Sequence, residues 1–278
     1  MTDDGLRLRI EKLAAAPTVD RDEAREAVSQ LLDALESGAV RAVIPTPSGW
    51  IVNAWVKRGL LLAFTCGANE SLSLPPFHFR DRDTLRTQDP GASGRNVRVV
   101  PGGSTVRRGA YLADGVVVMP PAFVNVGAHV GAGTMIDSHA LVGSCAQIGS
   151  RVHLSAAVQV GGVLEPPGAM PVIVEDEAFV GGGCGLYEGT RVGRGAVLAP
   201  GVILTRAVAL HDLTKEQTIV ADAQGVLVVP ERAVVVPGSR PAGGDWARAR
   251  GLSLYAPVIV KYRDQHTDAA AALEQALR

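Results

Sequence analysis

Asp137 and His139 stand two residues apart in the string GTMIDSHA, which places a carboxylate beside an imidazole. Both groups can take up a proton, and an imidazole titrates near neutrality, so the pair could act as a general base. Taken singly, each has an ordinary explanation. A lone aspartate beside a short strand is usually a turn residue, and a histidine there usually faces solvent or packs. The surrounding elements therefore decide what the pair can do.

Thiol chemistry is the next alternative, because the chain contains Cys66, Cys145 and Cys184. Their number is odd, their spacing is wide, and no two of them form a CxxC pair. We expect three reduced, buried small residues rather than a catalytic thiol or a structural disulfide.

The charge balance excludes several classes of partner. The chain has 27 basic and 28 acidic side chains and a formal net charge of −1. A nucleic-acid-binding protein would need clustered positive charge, and so would a polybasic membrane-surface protein. A local basic pocket for an anionic substrate is compatible with this balance. The charged N-terminus lacks the apolar core of a signal peptide and no apolar stretch is long enough to span a bilayer, so we expect a cytoplasmic protein.

A six-residue repeat organises the middle of the chain. Aliphatic residues occupy all sixteen positions of two runs taken in steps of six, and small or turn-forming residues recur beside them. The positions are Val106, Leu112, Val118, Val124, Val130, Ile136, Val142, Ile148, Leu154 and Val160, then Val174, Val180, Leu186, Val192, Leu198 and Leu204. Ordinary sandwich strands would alternate with period two instead.

This period predicts a triangular prism. Six residues make one flat side with the aliphatic pointing inward, three sides make an eighteen-residue coil, and coils stack because one coil cannot bury its own face. The general rule for parallel crossovers favours a right-handed path. Hexapeptide-repeat proteins are the known exception, so the resemblance to them predicts a left-handed parallel β-helix over residues 96–240.

Residues 1–95 lack the repeat and predict a small N-terminal α/β cap. A helix is expected over residues 20–35, capped by Asp20 and ended by Gly38, and a second helix over residues 6–13. The apolar segment 40–66 is interpreted as strands, and the polar segment 67–95 as irregular.

Two breaks interrupt the repeat, and a different segment follows it. The first break, 161–173, contains three prolines and predicts an extruded loop of the kind that often carries function. The second is 207–229. Residues 241–278 form a C-terminal extension, in which we expect a strand over 252–263 and a short closing helix over 268–277.

Several strings go beyond a generic hexapeptide protein. They are RVVPGGSTVRRGAYLADGVVVMPPAFVNVGAHV, GTMID, VGSCAQIGSRVHLS, GGVLEP, FVGGG, YEG and SLYAPVIVK. Together they closely resemble the tetrahydrodipicolinate N-succinyltransferase family, an enzyme family of lysine and diaminopimelate biosynthesis. The resemblance covers residues 98–261 and is weaker over residues 1–95.

The resemblance implies an activity and an assembly. The family transfers a succinyl group from succinyl-CoA to the amine of an L-2-amino-6-oxo dicarboxylate, without a metal and without a permanently bound cofactor. Acyl-CoA is a cosubstrate. The family forms homotrimers with sites in clefts between neighbouring prisms, and the extruded loop closes over the CoA arm.

The same resemblance assigns roles to individual residues. Arg98 matches an arginine that binds a substrate carboxylate, a task suited to its bidentate geometry. Asp137 matches an aspartate that contacts the amino substrate and helps to deprotonate it. Gly161 and Gly162 match positions close to the acyl-CoA, and Lys261 ends the last matching string and is a further candidate for the cosubstrate.

The chain departs from the family inside its core motifs. A glutamate proposed as catalytic acid or base is replaced by Gly185, an arginine by Gly183, and a tryptophan by His139. Glu188 keeps the second acid of the string but follows the inward leucine and so aims differently. Residues 205–212 differ as well. These changes predict an acceptor other than tetrahydrodipicolinate, with His139 as a candidate for the missing base.

Three classes of function stay open at this point. The first is a CoA-dependent N-acyltransferase acting on an amino-acid-like amine, with succinyl-CoA as the favoured donor. The second is a catalytically silent homologue that binds a ligand, suggested by the lost glutamate. The third is a metal-dependent prism of the carbonic anhydrase kind, but His129, His139 and His153 lie 10 and 14 residues apart and do not match an eighteen-residue coil.

Overall fold

The computed structural model describes residues 3–47 and 49–264. Within these residues, no helix combines the length and the apolar character needed to cross a membrane.

Three helices form most of the cap: α1 (Asp3–Ala15), α2 (Arg21–Ser37) and α3 (Ala54–Cys66). The first two confirm the sequence prediction. The Asp20 side chain accepts hydrogen bonds from the backbone N–H groups of Asp22 and Glu23, and Gly38 ends α2 in the left-handed conformation with φ of 79°.

The third helix corrects the prediction of a strand between residues 54 and 66. Its buried residues recur at helical spacings of three and four, but α3 is buried on several sides, so the run is apolar at most positions and the period is masked. Gly59 allows a close approach, because a Cβ there would lie 2.3 Å from Leu31 Cδ2 of α2. The residues buried at those spacings are Trp55, Val56, Gly59, Leu60 and Ala63.

Two antiparallel hairpins complete the cap. The first pairs β1 (Val43–Thr46) with β2 (Gly49–Val52). The second pairs β3 (Asn69–Leu74) with β4 (Phe77–Arg82), and a 3₁₀ turn follows at Pro90–Ser93. This second hairpin corrects the prediction that residues 67–95 are irregular. Its strands pair only with each other and are exposed, and their sequence does alternate, with Leu72, Phe77 and Phe79 separated by polar residues. The polar composition of the whole segment outweighs this short alternation in the sequence prediction.

Short parallel strands build the three sheets of the prism. The first sheet contains β5 (Arg98–Val99), β8 (Val117–Val118), β11 (Met135–Ile136), β14 (His153–Leu154), β17 (Phe179–Val180), β20 (Val197–Leu198) and β25 (Ala233–Pro241). The second contains β6 (Thr105–Val106), β9 (Phe123–Val124), β12 (Leu141–Val142), β15 (Gln159–Val160), β18 (Gly185–Leu186) and β21 (Ile203–Leu204). The third contains β7 (Tyr111–Leu112), β10 (His129–Val130), β13 (Gln147–Ile148), β16 (Ile173–Val174), β19 (Thr190–Val192) and β24 (Leu227–Val229).

The register of these sheets confirms the eighteen-residue coil. Ile136, for example, pairs with Val118 in the coil below and with Leu154 in the coil above. All sixteen aliphatics of the repeat are buried, and none is more than 4% exposed. The chain is therefore a left-handed β-helix of hexapeptide repeats, as predicted.

Both breaks are insertions that leave the stack in register. Val160 pairs with Leu186, 26 residues later, so the first loop adds eight residues to one coil. Val192 pairs with Val229, 37 residues later, so the second adds nineteen. Part of the second insertion is a hairpin of β22 (Leu210–Asp212) and β23 (Gln217–Ile219).

The last described strand confirms the prediction for residues 252–263. Strand β26 (Ser253–Tyr262) pairs antiparallel with β25 and parallel with β22, and a single helical turn, α4 (Asp245–Arg248), precedes it. The predicted closing helix lies outside the described residues. The domain boundaries at 95 and 240 stay predictions.

The cap packs on the third sheet of the prism. Arg41 donates to the side-chain oxygen of Gln147 at 2.9 Å, and Trp50 Nε1 donates to Glu175 at 3.0 Å. Val126, Cys145 and Ile173 of the prism belong to the same hydrophobic cluster as the three helices. The cap therefore covers one side of the prism and braces the edge beside it.

Candidate active site

Asp137 and His139 lie on the edge where the chain turns from the first sheet into the second, called here the first edge. They belong to the corner between β11 and β12, in the third coil. Asp137 is half-buried, and its Oδ1 accepts a hydrogen bond from the backbone N–H of Ser138 at 2.7 Å. The other carboxylate oxygen has no hydrogen-bond partner within the described part of the chain, so it can accept a proton or bind an amine.

His139 occupies the left-handed corner with φ of 62°, a conformation that histidine tolerates better than most residues. Its backbone is held by Pro121 below and Gln159 above. The imidazole is exposed and makes no hydrogen bond to the residues that the structure describes. The ring can therefore reach a substrate, but nothing in this chain fixes its orientation.

Gly161 and Gly162 lie on the edge where the second sheet turns into the third, called here the second edge. The register of β15 with β18 stacks them directly under Tyr187 and Glu188 of the next coil. A Cβ on Gly162 would lie 2.7 Å from the backbone nitrogen of Ser144. Only glycine fits here, and the Gly162 backbone at the root of the loop is exposed.

Glu188 is paired on this edge. Its Oε1 accepts from the guanidinium of Arg206, 3.3 Å away in the corner above, and both side chains are substantially exposed. Such a surface pair is worth little in stability. It does place a negative and a positive side chain next to each other where the loop leaves the prism.

Lys57 of α3 fixes the loop that leaves this edge. Its side chain is completely buried, and its Nζ donates to the carbonyl oxygen of Ala169 at 2.6 Å. Burial lowers the pKa of this ammonium below its ordinary value, against the opposing effect of the Cys145 thiol and the Glu188 carboxylate. Leu164 and Met170 of the loop pack against the cap core. The loop is therefore held on its cap side.

The remaining predicted residues lie elsewhere. Arg98 is exposed on the first sheet in the first coil, two coils below Met135 of β11 and so about 10 Å away at the usual strand spacing. Lys261 lies on β26, opposite Val234, beyond the last coil. The structure brings Glu188 together with Gly161 and Gly162, and it places Asp137 and His139 one full side of the prism away. One chain does not assemble the predicted residues into one site.

The thiols confirm the expectation for the cysteines. All three are buried and free. Burial raises the pKa of Cys145 to about 12 and that of Cys184 to about 11, so neither is a thiolate near neutrality. Among the described residues, no group of three or more His, Cys, Asp or Glu side chains is placed to hold a metal ion.

Sequence reasoning does not single out Lys57 of α3, nor Tyr187 and Arg206 of the second edge. Lys57 was hidden in an apolar segment interpreted as a strand. Its signal in the sequence is weak, because the charged Arg58 follows it directly and only the structure shows that Lys57 is buried and Arg58 exposed. Tyr187 directly follows the inward Leu186, where the matching residues of the coils below are Gly161 and Gly143.

Prism, cap and inserted loop together define a hexapeptide-repeat acyltransferase. Comparison with known proteins narrows the class. Residues 9–66 match the N-terminal model of tetrahydrodipicolinate N-succinyltransferase, and residues 171–206 match the hexapeptide repeat of succinyl-transferase. The chain belongs to the tetrahydrodipicolinate N-succinyltransferase family.

Curated relatives establish this membership. The 2,3,4,5-tetrahydropyridine-2,6-dicarboxylate N-succinyltransferase of Idiomarina loihiensis is 39% identical over 268 residues, covering 93% of this chain and 91% of the relative. The enzyme of the same name from Bordetella petrii is 41% identical over 259 residues, covering 92% and 90%. That of Rhodopseudomonas palustris is 40% identical over 269 residues, covering 93% and 91%. The chain is accordingly an acyltransferase.

Proposed function

We propose that the protein is a CoA-dependent N-succinyltransferase that acylates the amine of an amino-acid-like carboxylate. One observation supports the donor side: the Gly162 backbone is exposed at the root of a loop that Lys57 holds in place. An extended acyl-CoA arm can lie against such a backbone, because its amides can bond to exposed peptide groups. Succinyl-CoA is the donor that the relatives' names favour.

The reaction joins the acceptor nitrogen to the thioester carbonyl carbon. The neutral amine attacks this carbon, a C–N bond forms, the C–S bond breaks, and the CoA sulfur leaves and is protonated. Attack requires a nitrogen lone pair, so a base must take the amine proton. We assign this role to Asp137, whose second carboxylate oxygen is unengaged within the described residues, with His139 beside it as the second proton acceptor. Arg98 is assigned to the acceptor carboxylate.

The two edges are one prism side apart, so the donor and the base of a single chain do not face each other. We therefore propose a homotrimer in which the first edge of one protomer faces the second edge of its partner. Light scattering should give a mass three times the 28.9 kDa of the chain. A monomer that is fully active would contradict this arrangement.

The acceptor is proposed to differ from tetrahydrodipicolinate. Gly185 and His139 replace a glutamate and a tryptophan in the motifs that carry the family resemblance. Loss of an acid weakens the attraction for a cationic amine and changes the shape of its pocket, so the same acceptor is not expected to bind equally well.

The test measures free thiol released from succinyl-CoA, with acetyl-CoA as the comparison donor, over a panel of amines. The panel contains tetrahydrodipicolinate and amino acids with one and two carboxylates. We expect turnover with succinyl-CoA and a preferred acceptor other than tetrahydrodipicolinate. Absence of turnover with every donor would favour a silent homologue. Ordinary rates with tetrahydrodipicolinate would refute the changed acceptor but leave the succinyltransferase assignment standing.

A further inference from the structure

Gly185 leaves a gap in the outward face of the second sheet, and the ring of Tyr187 fills it. A Cβ on Gly185 would lie 2.6 Å from Tyr187 Cε2, 3.0 Å from the Tyr187 hydroxyl oxygen and 3.0 Å from Ile203 Cδ1. Every other strand of this sheet carries a side chain at the matching position. Those residues are Thr105, Phe123, Leu141, Gln159 and Ile203.

A second glycine supports the same ring from below. A Cβ on Gly161 would lie 3.2 Å from Tyr187 Cδ1. The ring thus rests on two glycine backbones, and a side chain at either position would compete with it for space. Its other side is open, since Tyr187 is 41% exposed. The pair of glycines determines where the phenol lies.

The hydroxyl of Tyr187 is presented without a partner. It makes no hydrogen bond to any residue in the described part of the chain, whereas the equally exposed Tyr255 accepts one from the backbone N–H of Ile203 at 2.7 Å. A tyrosine whose ring is packed generally places its hydroxyl where a polar group can meet it. Tyr187 adjoins the loop root and the Glu188–Arg206 pair, so its hydroxyl is open to a group from outside the chain.

We propose that Tyr187 is a specificity-determining residue of the acceptor site. This inference rests on the proposed function. Its neutral hydroxyl donates a hydrogen bond to an oxygen of the acceptor, a carboxylate or a carbonyl. A carboxylate at residue 185 would repel such an oxygen, and the Tyr187 ring excludes one from that place. Gly185 and Tyr187 therefore act together: where the family pattern has a glutamate at position 185, this chain has a neutral phenol, and the pocket wall is neutral instead of acidic.

The first test is Tyr187→Phe, which removes the hydroxyl and keeps the ring packing. With the best acceptor of the panel, we expect the KM for the acceptor to rise about 10-fold, as for the loss of one hydrogen bond to a charged or polar oxygen. The KM for succinyl-CoA and the melting temperature should not change. Tyr111→Phe is the matched control, because that ring stacks on His129 under the cap at 4.5 Å and should alter neither KM.

The outcomes separate the two proposals. If the wild type turns over and Tyr187→Phe matches it, or if the variant raises both KM values equally, Tyr187 does not bind the acceptor and this assignment is overturned. If the wild type releases no thiol with any donor, the proposed function itself fails. A rise confined to the acceptor KM supports both.

The second test examines the pair and does not depend on turnover. Gly185→Glu alone should lower the melting temperature, because the new side chain and the Tyr187 ring need the same space. Gly185→Glu combined with Tyr187→Val should recover most of the loss. Strictly additive effects in this double-mutant cycle would show that the ring does not occupy the gap. In the assay, the double variant should favour acceptors with fewer carboxylates than the wild type prefers.

Discussion

The two edges of the prism that carry candidate site residues are built differently. The second edge is fixed from behind: the cap packs on it, Lys57 holds its loop, and its glycines are in close contact with the next coil. The first edge carries Asp137 and His139 with little support, since the carboxylate accepts one backbone hydrogen bond and the imidazole makes none within the described residues.

This difference predicts that the second edge mainly binds the cosubstrate and that the first edge carries the groups that take part in the chemical step. An edge held by the chain itself can bind a long, flexible cosubstrate with little further ordering, which preserves affinity. An edge with unengaged reactive groups gains its geometry only when a substrate or a neighbouring protomer lies against it. Changes at the first edge should therefore affect rate and leave stability intact. Changes to the glycines and the loop of the second edge should affect stability or donor binding, whereas the exposed hydroxyl of Tyr187 on that edge is proposed to affect acceptor binding alone.

Asp137→Asn tests the first edge most directly. We expect kcat/KM to fall about 1000-fold, because the amine loses its base, and the melting temperature to stay unchanged, because the amide oxygen can still accept from Ser138. Asp114→Asn is the control, an exposed aspartate on another corner whose Oδ1 also accepts one backbone hydrogen bond, from Asn96 at 2.8 Å. Equal activity of the two variants would remove Asp137 from the mechanism.

His139→Ala separates the second proton acceptor from a surface residue. We expect kcat to fall about 100-fold, at the lower end of a general-base contribution, with the KM for succinyl-CoA unchanged. Because the ring is exposed and makes no hydrogen bond within the described residues, the substitution should not alter folding. Unchanged rates would refute the base role and leave His139 as a corner residue only.

Gly162→Ala tests the second edge by crowding it. The added methyl group would meet the backbone of Ser144, which cannot move without displacing a coil. We expect a loss of about 2 kcal/mol in the free energy of unfolding, seen as a melting temperature lower by about 4–8 °C. Gly168→Ala, in the open part of the loop with no atom within 4 Å of the new Cβ, should change nothing. A stable Gly162→Ala variant would mean that the edge is more yielding than its contacts indicate.

Lys57→Met tests whether the hydrogen bond from Lys57 to Ala169 of the loop contributes to binding of succinyl-CoA. The KM for succinyl-CoA should rise about 5-fold, as for one lost hydrogen bond, while the melting temperature stays level or rises, because a buried charge is removed. Arg58→Met, the exposed neighbour on α3, is the control. A lower melting temperature with an unchanged KM would indicate a purely structural lysine.

A pH series supplies an independent readout for Lys57. Because burial lowers the pKa of this lysine in the folded chain, the unfolded chain binds more protons at pH values between the lowered pKa and the ordinary one. Stability contributed by this group therefore rises with pH across that window. Lys57→Met should lack this rise, whereas Arg58→Met should retain it.

The prism could be predicted from the sequence almost completely, and the cap only in part. Each inward aliphatic of the repeat marks one side of one coil, so sixteen of them at a constant spacing predict how the coils stack. The segment of α3 carries no such redundancy. Val56, Leu60 and Leu62 satisfy a strand or a helix equally well, and only tertiary packing decides between them.

The candidate site was less predictable than the fold for a related reason. The family motifs predict Asp137, Gly161 and Glu188 as site residues, but a motif reports only which residues are present and not which edge of the prism carries each of them. Tyr187 escaped notice because its importance depends on an absence two residues earlier, at Gly185. The sequence shows that Gly185 lacks a side chain, but only the fold shows that the Tyr187 ring occupies the space.

The insertions of eight and nineteen residues have a consequence for how such a protein can diversify. Because each insertion spans one corner and returns the chain to the same stacking position, its length can change without shifting any other coil. Donor and acceptor preferences can therefore be altered independently, by exchanging a loop at one corner while the outward residues at another stay in place. A library in which only residues 165–168 are exchanged, with Leu164, Ala169 and Met170 kept against the cap, would vary one substrate preference at a time on an unchanged frame.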